Sequence, residues 1–541
     1  VSPPRTARFS RRHAALVFAV ALLPRVVHWA FVRHSPLASD FVPDLAPYLL
    51  AVERLMQSAY FFAEPMVMSP GYAFFLAPQY ILVGPDIPLF ILVNAVFDAG
   101  SAALCAGLAA RMAPAQSRRL AGLAAGALYV CCGALLFYNL LPLGEGPAVF
   151  CLLAGLTLLF DSPRRPAWAA WFAGALLALA GLIRPNLAPA ALLALGVWTA
   201  FPRGERRTRA QAALRCLLGF ALVLAPFMAH NAKVSGRASP FGFQGGFTLY
   251  SGNHPGGSGV GDALPGFGNV PYLVILEAWK QAEDASGREL TLAEADGYWY
   301  GETWRFAVGN PAEAAALFGR KLLLLVNNDG LDATANMGFC ERFSPVPTFL
   351  PLPVGFVFAL ASAGVWLALR RGSAAPLAAP ADRSEVLALA AALAAAAALV
   401  LVFQVTPRYR VVLLPLAMPF AGVALADWRA LLKAPRRGRA VAEALPLALA
   451  AGVLAASCIP LRLLVDKPGV EAQEHARLAR YYLLRGPQEL ARMEFREAIR
   501  LGAPDRKSLE AGLAASLLLE GGERRAGREP PALAGRPRAR Y

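Results

Sequence analysis

Two aspartates four residues apart, Asp40 and Asp44 in "HSPLASDFVPDLAPYLLAVERL", and the triplet Arg408, Tyr409, Arg410 in "TPRYRVVLLP" are the side chains best placed by type to do chemistry. A carboxylate at such a position serves as a general base, removing a proton from an incoming hydroxyl. Equally, Asp44 stands before an amphipathic stretch with Pro47 in its first turn, which is the pattern of a helix N-cap. The two arginines offer forked donors that grip a phosphate in a partly dry site, or they snorkel to lipid headgroups. Arg184 in "LIRPNLAP" interrupts an apolar stretch, where an unpartnered charge is costly, so it must pair or bind a ligand. Glu145 in "FYNLLPLGEG" is the acid available to it.

Other chemistries find no residues. The run "YSGNHPGGSGVGDALPGFGN" lacks the GK[ST] ending of a phosphate-binding loop and reads as a flexible loop or substrate lid. His254 within it has no partner at metal-ligand spacing, and no nucleophile elbow is present. Of the seven cysteines, Cys105, Cys131, Cys132, Cys151 and Cys216 sit in apolar runs, as small hydrophobes and not as a disulfide framework.

The elements that must position these groups are membrane helices. Of the 541 residues, 57% are hydrophobic and 16% charged, with mean hydropathy +0.46, whereas a soluble domain carries about 25% charged residues. Apolar runs near the ~20 residues that cross a bilayer alternate with short joints rich in Arg and Pro. The first, "HAALVFAVALLPRVVHWAFV", reads as a retained span and not a cleaved leader. Spans are expected at roughly 13–33, 86–110, 118–139, 143–160, 167–183, 187–201, 216–231, 348–370, 385–405, 411–427 and 443–464, about eleven crossings. The piece 70–84 is too short and is expected as a re-entrant or juxtamembrane helix. The positive-inside rule places the Arg-rich joints in the cytoplasm, with the N-terminus inside and the C-terminus outside. The net charge of +16 is then a matter of orientation, and nucleic-acid binding is set aside. The same topology gathers Asp40, Asp44, Glu145, Arg184, Asn231, a first outer loop (34–85), a large outer loop (232–347) and Arg408 on the extracytoplasmic face.

In order and spacing, "DLAPYLLAVERL", "SPGYAFFLAPQYILVG", "FYNLLPLGEG", "LIRPNLAP", "HNAKVSG", "GGFTLYSGNHPGGSG", "GRELTLAEADGYWYGETWRF" and "TPRYRVVLLPLAMPFAG" resemble the bacterial membrane glycosyltransferases of the GT-C fold. These are relatives of the protein O-mannosyltransferases and the lipid A aminoarabinose transferases. The resemblance covers residues 13 to about 430, and a branch with C-terminal tetratricopeptide repeats adds the tail. It implies an all-α integral membrane protein of the GT-C type in the bacterial inner membrane. The implied reaction moves a sugar, with inversion, from a polyprenyl-phosphate carrier to an acceptor hydroxyl on the extracytoplasmic side. Carried over residue by residue, the general base falls on Asp44, which Tyr48 follows four residues on, with Asp40 in reserve. Lipid-phosphate binding falls on Arg408, Tyr409 and Arg410, and Arg184, Glu145, Tyr48 and Asn253 join the substrate-binding set. Leu45 follows Asp44 where many relatives have a second acid, so a divalent cation is an optional part of this expectation.

A transmembrane domain (1–465) is followed by a tetratricopeptide-like tail (466–522), expected to dock on the large outer loop or to bind a protein partner, and by a disordered basic end (523–541). Two other classes compete with the enzyme. A transporter or flippase of lipid-linked saccharides would carry internal repeats and polar groups at mid-membrane, and a membrane anchor for a repeat scaffold would not need so many spans. The sugar and the acceptor, whether protein, lipid or polysaccharide, are not specified by the sequence.

Overall fold

The structure, a computed structural model, describes residues 9–39, 42–57, 64–201, 206–261, 271–330, 335–371, 382–427, 440–465, 470–485, 487–503 and 506–525. Asp40 lies outside the described residues. Helices in chain order are α1 (Arg11–Val32), α2 (Ala46–Met56), α3 (Gly71–Val83), α4 (Ile87–Met112), α5 (Arg118–Cys131), α6 (Gly133–Leu140), α7 (Glu145–Asp161), α8 (Trp168–Ile183), α9 (Leu187–Ala200) and α10 (Arg206–Ser235). Then come α11 (Gly245–Ser251), α12 (Pro271–Ser286), α13 (Leu292–Gly309), α14 (Pro311–Val326), α15 (Met337–Cys340), α16 (Val354–Arg371), α17 (Arg383–Val402), α18 (Pro407–Val411) and α19 (Leu414–Ala426). The last are α20 (Ala440–Ser457), α21 (Leu461–Leu464), α22 (Val470–Arg485), α23 (Gln488–Arg500) and α24 (Arg506–Arg525).

The bundle is apolar outside as well as inside. On α1 the buried residues Val17, Ala21, Arg25, His28 and Val32 recur every three or four positions, so one stripe faces the bundle. Leu16, Val20, Leu23, Val27 and Phe31 cover the opposite face and are exposed. Such a surface is intolerable in water over several helices and natural in lipid. Among the described residues five helices are by themselves long and apolar enough to cross a membrane: α1, α4, α7 with its 3-10 extension to Arg164, α10 and α17. This is fewer than the eleven expected. Several of the other expected spans coincide with apolar helices of 10–17 residues, among them α8, α9 and α19.

The expected span 118–139 is broken into α5 and α6 at Cys132, whose backbone is extended (φ −88°, ψ 98°). The freed groups are satisfied by the segment before α16: Gly133 N–H donates to Leu350 O at 2.9 Å, and Leu352 N–H donates to Cys131 O at 3.1 Å. Only glycine fits at 133, because a Cβ there would lie 2.9 Å from Leu350 O. Irregular backbone of this kind survives at membrane depth only where protein partners cover it. The piece 70–84 is helical as α3, whose 13 residues span about 20 Å, short of the ~30 Å hydrocarbon core.

The C-terminal helices α22, α23 and α24 pack side by side around Ala476, Ala479, Phe495, Ala498 and Leu509. They rest on the segment between α14 and α16: Glu474 accepts from the Asn336 N–H at 3.1 Å, Arg342 pairs with Glu494 at 3.2 Å, and the rings of Phe339 and His475 meet edge to face. Helix α24 runs to Arg525, three residues into the end expected to be disordered; residues 526–541 lie outside the described ones.

Candidate active site

Four short segments place the charged groups. Pro43–Leu45 form a single 3-10 turn ahead of α2. Helix α2 itself starts at Ala46 with Leu45 at its N-cap and no side-chain cap, so Asp44 does not cap it. Glu145 is the first residue of α7, where the free amides and the positive end of the helix dipole favour a carboxylate. Arg184 follows the last residue of α8; Pro185 behind it forces extended backbone (φ −134°, ψ 100°) and stops the helix. Thr406 caps α18, accepting from the Tyr409 N–H at 3.2 Å, with Pro407 at the first helical position.

These segments converge. The Arg408 guanidinium pairs with the Asp44 carboxylate, and its Nε lies 3.4 Å from Glu145 Oε1. Arg184 pairs with Glu145. The ring of Tyr409 has Arg408 at 5.5 Å and Arg184 at 5.8 Å from its centroid, an arrangement in which one aromatic face holds two like charges close. Tyr48 meets Tyr72 edge to face at 5.1 Å. Burial raises the Tyr48 phenol above its ordinary value, with Asp44 adding to the rise and Arg184 opposing it, so it stays a donor at neutral pH.

Accessibility separates the carboxylates. The Glu145 side chain is 1% exposed, and neither of its oxygens accepts a well-formed hydrogen bond among the described residues. Asp44 and Arg408 keep 13% and 12% exposure. A cavity of about 270 Å³, lined by Tyr48, Leu50, Arg54, Glu64, Met66 and Ser69, shares Tyr48 with the site but is not lined by Asp44 or Arg408.

Six of the expected site residues thus meet: Asp44, Tyr48, Glu145, Arg184, Arg408 and Tyr409. Arg410 faces elsewhere, because residues two apart on a helix project to different sides. Its guanidinium donates to the carbonyls of Leu324 at 2.9 Å, Asn327 at 2.5 Å and Asp329 at 2.8 Å, clamping the end of α14. Asn253 donates to Leu249 O and to Val402 O and Phe403 O at the end of α17, and accepts from Lys321 Nζ at 2.7 Å. Burial lowers the Lys321 ammonium to about 7. Asn231 likewise ties loops, donating to Ser239 O and Phe241 O.

Among the described residues no group of three His, Cys, Asp or Glu side chains could hold a metal ion, and Asp44 and Glu145 each face a guanidinium.

Sequence reasoning missed a second buried set beneath the site. Arg25 Nε donates to Asp98 Oδ2 at 2.5 Å, and Tyr129 and Asn139 donate to Asp98 Oδ1 at 2.5 and 2.7 Å. His28 meets Ser344 Oγ at 2.7 Å. The signal was available: Arg25 and Asp98 interrupt apolar runs just as Arg184 does.

No protein-family model and no curated protein matches the chain. Among solved structures it is similar to the Archaeoglobus fulgidus oligosaccharyltransferase in complex with zinc and sulfate, with TM-score 0.44 and 13% identity over 92% of this chain and 57% of that one. It is also similar to ArnT from Cupriavidus metallidurans bound to undecaprenyl phosphate, with TM-score 0.38 and 14% identity over 95% of this chain and 77% of that one. The chain spans little more than half the length of the first.

Proposed function

We propose that the chain is a membrane glycosyltransferase that moves a sugar from a polyprenyl-phosphate carrier to an acceptor hydroxyl at the extracytoplasmic face. The observation that carries this is the meeting of Asp44 with Arg408, and of Arg408 and Arg184 with Glu145, at one end of a helical bundle. The ordered motifs that resemble the GT-C glycosyltransferases support it. About eleven crossings, with the N-terminus inside and the tail outside, complete the reading.

Asp44 takes the proton of the acceptor hydroxyl as its oxygen attacks the anomeric carbon from the face opposite the phosphate. The bond between that carbon and the phosphate oxygen breaks, and its electron pair leaves with the carrier. The phosphate passes from one negative charge in the diester toward two in the monoester. Arg408 and Arg184 therefore bind the transition state more tightly than the bound donor, which is what acceleration requires. The incoming phosphate competes with Asp44 for Arg408 and frees the base. Glu145 holds Arg184 and Arg408 and takes sugar hydroxyls. Arg410 keeps α18 in place. The helical tail is a tetratricopeptide-like platform for a protein partner.

The test is release of polyprenyl phosphate in membrane vesicles supplied with a panel of polyprenyl-phosphate sugars, comparing wild type with Asp44→Asn at matched folded protein. Turnover by wild type and a loss of about 10²–10⁴-fold in the variant support the base assignment. Equal turnover removes Asp44 from the mechanism and moves attention to Asp40. Movement of donor across the membrane without its consumption sinks the transferase reading in favour of a flippase.

A further inference from the structure

We propose that Asn94 and Asp98, one turn apart on α4, are positioning residues for Glu145, an inference that rests on the transferase reading above. Between the end of α6 at Leu140 and the start of α7 at Glu145 the chain is not helical, so its carbonyls need partners from elsewhere. Asn94 supplies them: its amide donates to Leu141 O at 2.8 Å and to Leu143 O at 3.0 Å. Asp98, on the same face of α4, accepts from Asn139 Nδ2 at 2.7 Å and so holds the other end of the link.

Both grips are dry. Asn94, Asp98, Asn139 and Arg25 are each 0% exposed. Arg25 from α1 neutralises Asp98 and is itself steadied by Ala21 O at 2.8 Å and by the Tyr129 ring at 5.4 Å. The link has little room to shift, since a Cβ on Gly146 would lie 2.9 Å from Asn139 O. Glu145 stands two residues beyond the last carbonyl that Asn94 holds. Glu145 keeps its place between two guanidinium groups only if its backbone is fixed, and α4 fixes it. A general packing role would leave the reacting groups untouched when Asn94 is altered, whereas a positioning role acts through Glu145.

The experiment is a double-mutant cycle of Asn94→Ala with Glu145→Gln in the full-length protein, read as release of decaprenyl phosphate from whichever decaprenyl-phosphate sugar wild type turns over, together with cryo-electron microscopy of Asn94→Ala. The variant is expected to carry Glu145 out of ion-pair reach of Arg184 and Arg408 while α4 and α7 stay in place. Its kcat should fall about tenfold, with no further fall once residue 145 is already Gln. The proposal is overturned if Glu145 remains between the arginines, or if Asn94→Ala reduces kcat by the same factor in both backgrounds. Should Asn94→Ala not fold, Asn94→Ser, which keeps one donor, is measured in the same way. If wild type turns over no donor, the transferase reading fails, and the position of Glu145 in the variant structure still decides the positioning role.

Discussion

Two clusters of arginines and carboxylates sit at opposite ends of the same helices, and they are built differently. At the end of α4 and α7 that the positive-inside rule puts in the cytoplasm, Arg111 holds Glu385 with two bonds, at 3.0 and 2.6 Å, and Asp161 with a third at 2.5 Å. Nearby Arg209 pairs with Asp382, donates to Ser384 Oγ at 2.5 Å and stacks on Trp198. These carboxylates are saturated by donors that match them in number and direction. At the other end Arg184 and Arg408 share Glu145, Arg408 also pairs with Asp44, and both guanidinium groups lie against the Tyr409 ring. Pairing of charges alone marks a staple between helices. Two guanidinium groups converging on one aromatic ring mark a place for an anion.

The largest expected effect lies at the end that holds Arg184 and Arg408. Arg408→Ala should lower transfer per folded molecule by about 10²–10³-fold, beyond any loss of stability from the broken Asp44 pair, measured as donor turnover and melting temperature on the same detergent preparation. Arg410→Ala sharpens the contrast within one helical turn. It removes three bonds to backbone carbonyls, so stability should fall by about 3 kcal/mol and activity should fall with it. Equal behaviour of the two variants would mean that α18 does not separate their roles.

At the Arg111 end, Arg111→Ala should destabilise by about 2 kcal/mol, because Glu385 is left buried without its partner, while turnover per folded molecule stays unchanged. Denaturant unfolding and vesicle turnover together decide this.

The smallest effect concerns the outer loop. Burial raises the Asp296 carboxyl to about 6 from 3.8, although the Gly246 N–H donates to it at 2.6 Å and Arg237 pulls the other way. The folded state therefore holds the proton more tightly than the unfolded one between about pH 4 and 6. Stability falls as pH rises through that window and stays lower above it. Asp296→Asn keeps the acceptor for Gly246 and should flatten this dependence, raising stability at pH 7.5. A melting-temperature profile from pH 4 to 8 that is identical in both proteins would contradict the assignment.

Much of this contrast was legible in the residues. Charges that interrupt apolar runs identified Arg184, and the topology drawn from the Arg-rich joints put Glu145, Asp44 and Arg408 on one face, where the structure brings them together. The assignment of Arg410 to the same task treated "PRYR" as the plain start of a span. Thr406 and Pro407 are a cap and a first helical residue, and that signal, read as such, turns Arg408 and Arg410 to different sides. The break at Cys132 was not legible, because what permits it is a carbonyl more than two hundred residues away, at Leu350. Asn94 and Asn139 were equally silent, since a polar residue in an apolar run does not name its partner.

The measurement that tests the central claim most directly is the affinity of the purified full-length protein for decaprenyl phosphate in nanodiscs, compared across wild type, Arg408→Ala and Arg111→Ala. The account predicts that Arg408→Ala weakens binding at least about tenfold, the loss of one charge-assisted phosphate contact, and that Arg111→Ala binds as wild type does. Binding that is unchanged by Arg408→Ala, or weakened equally by both variants, would contradict it.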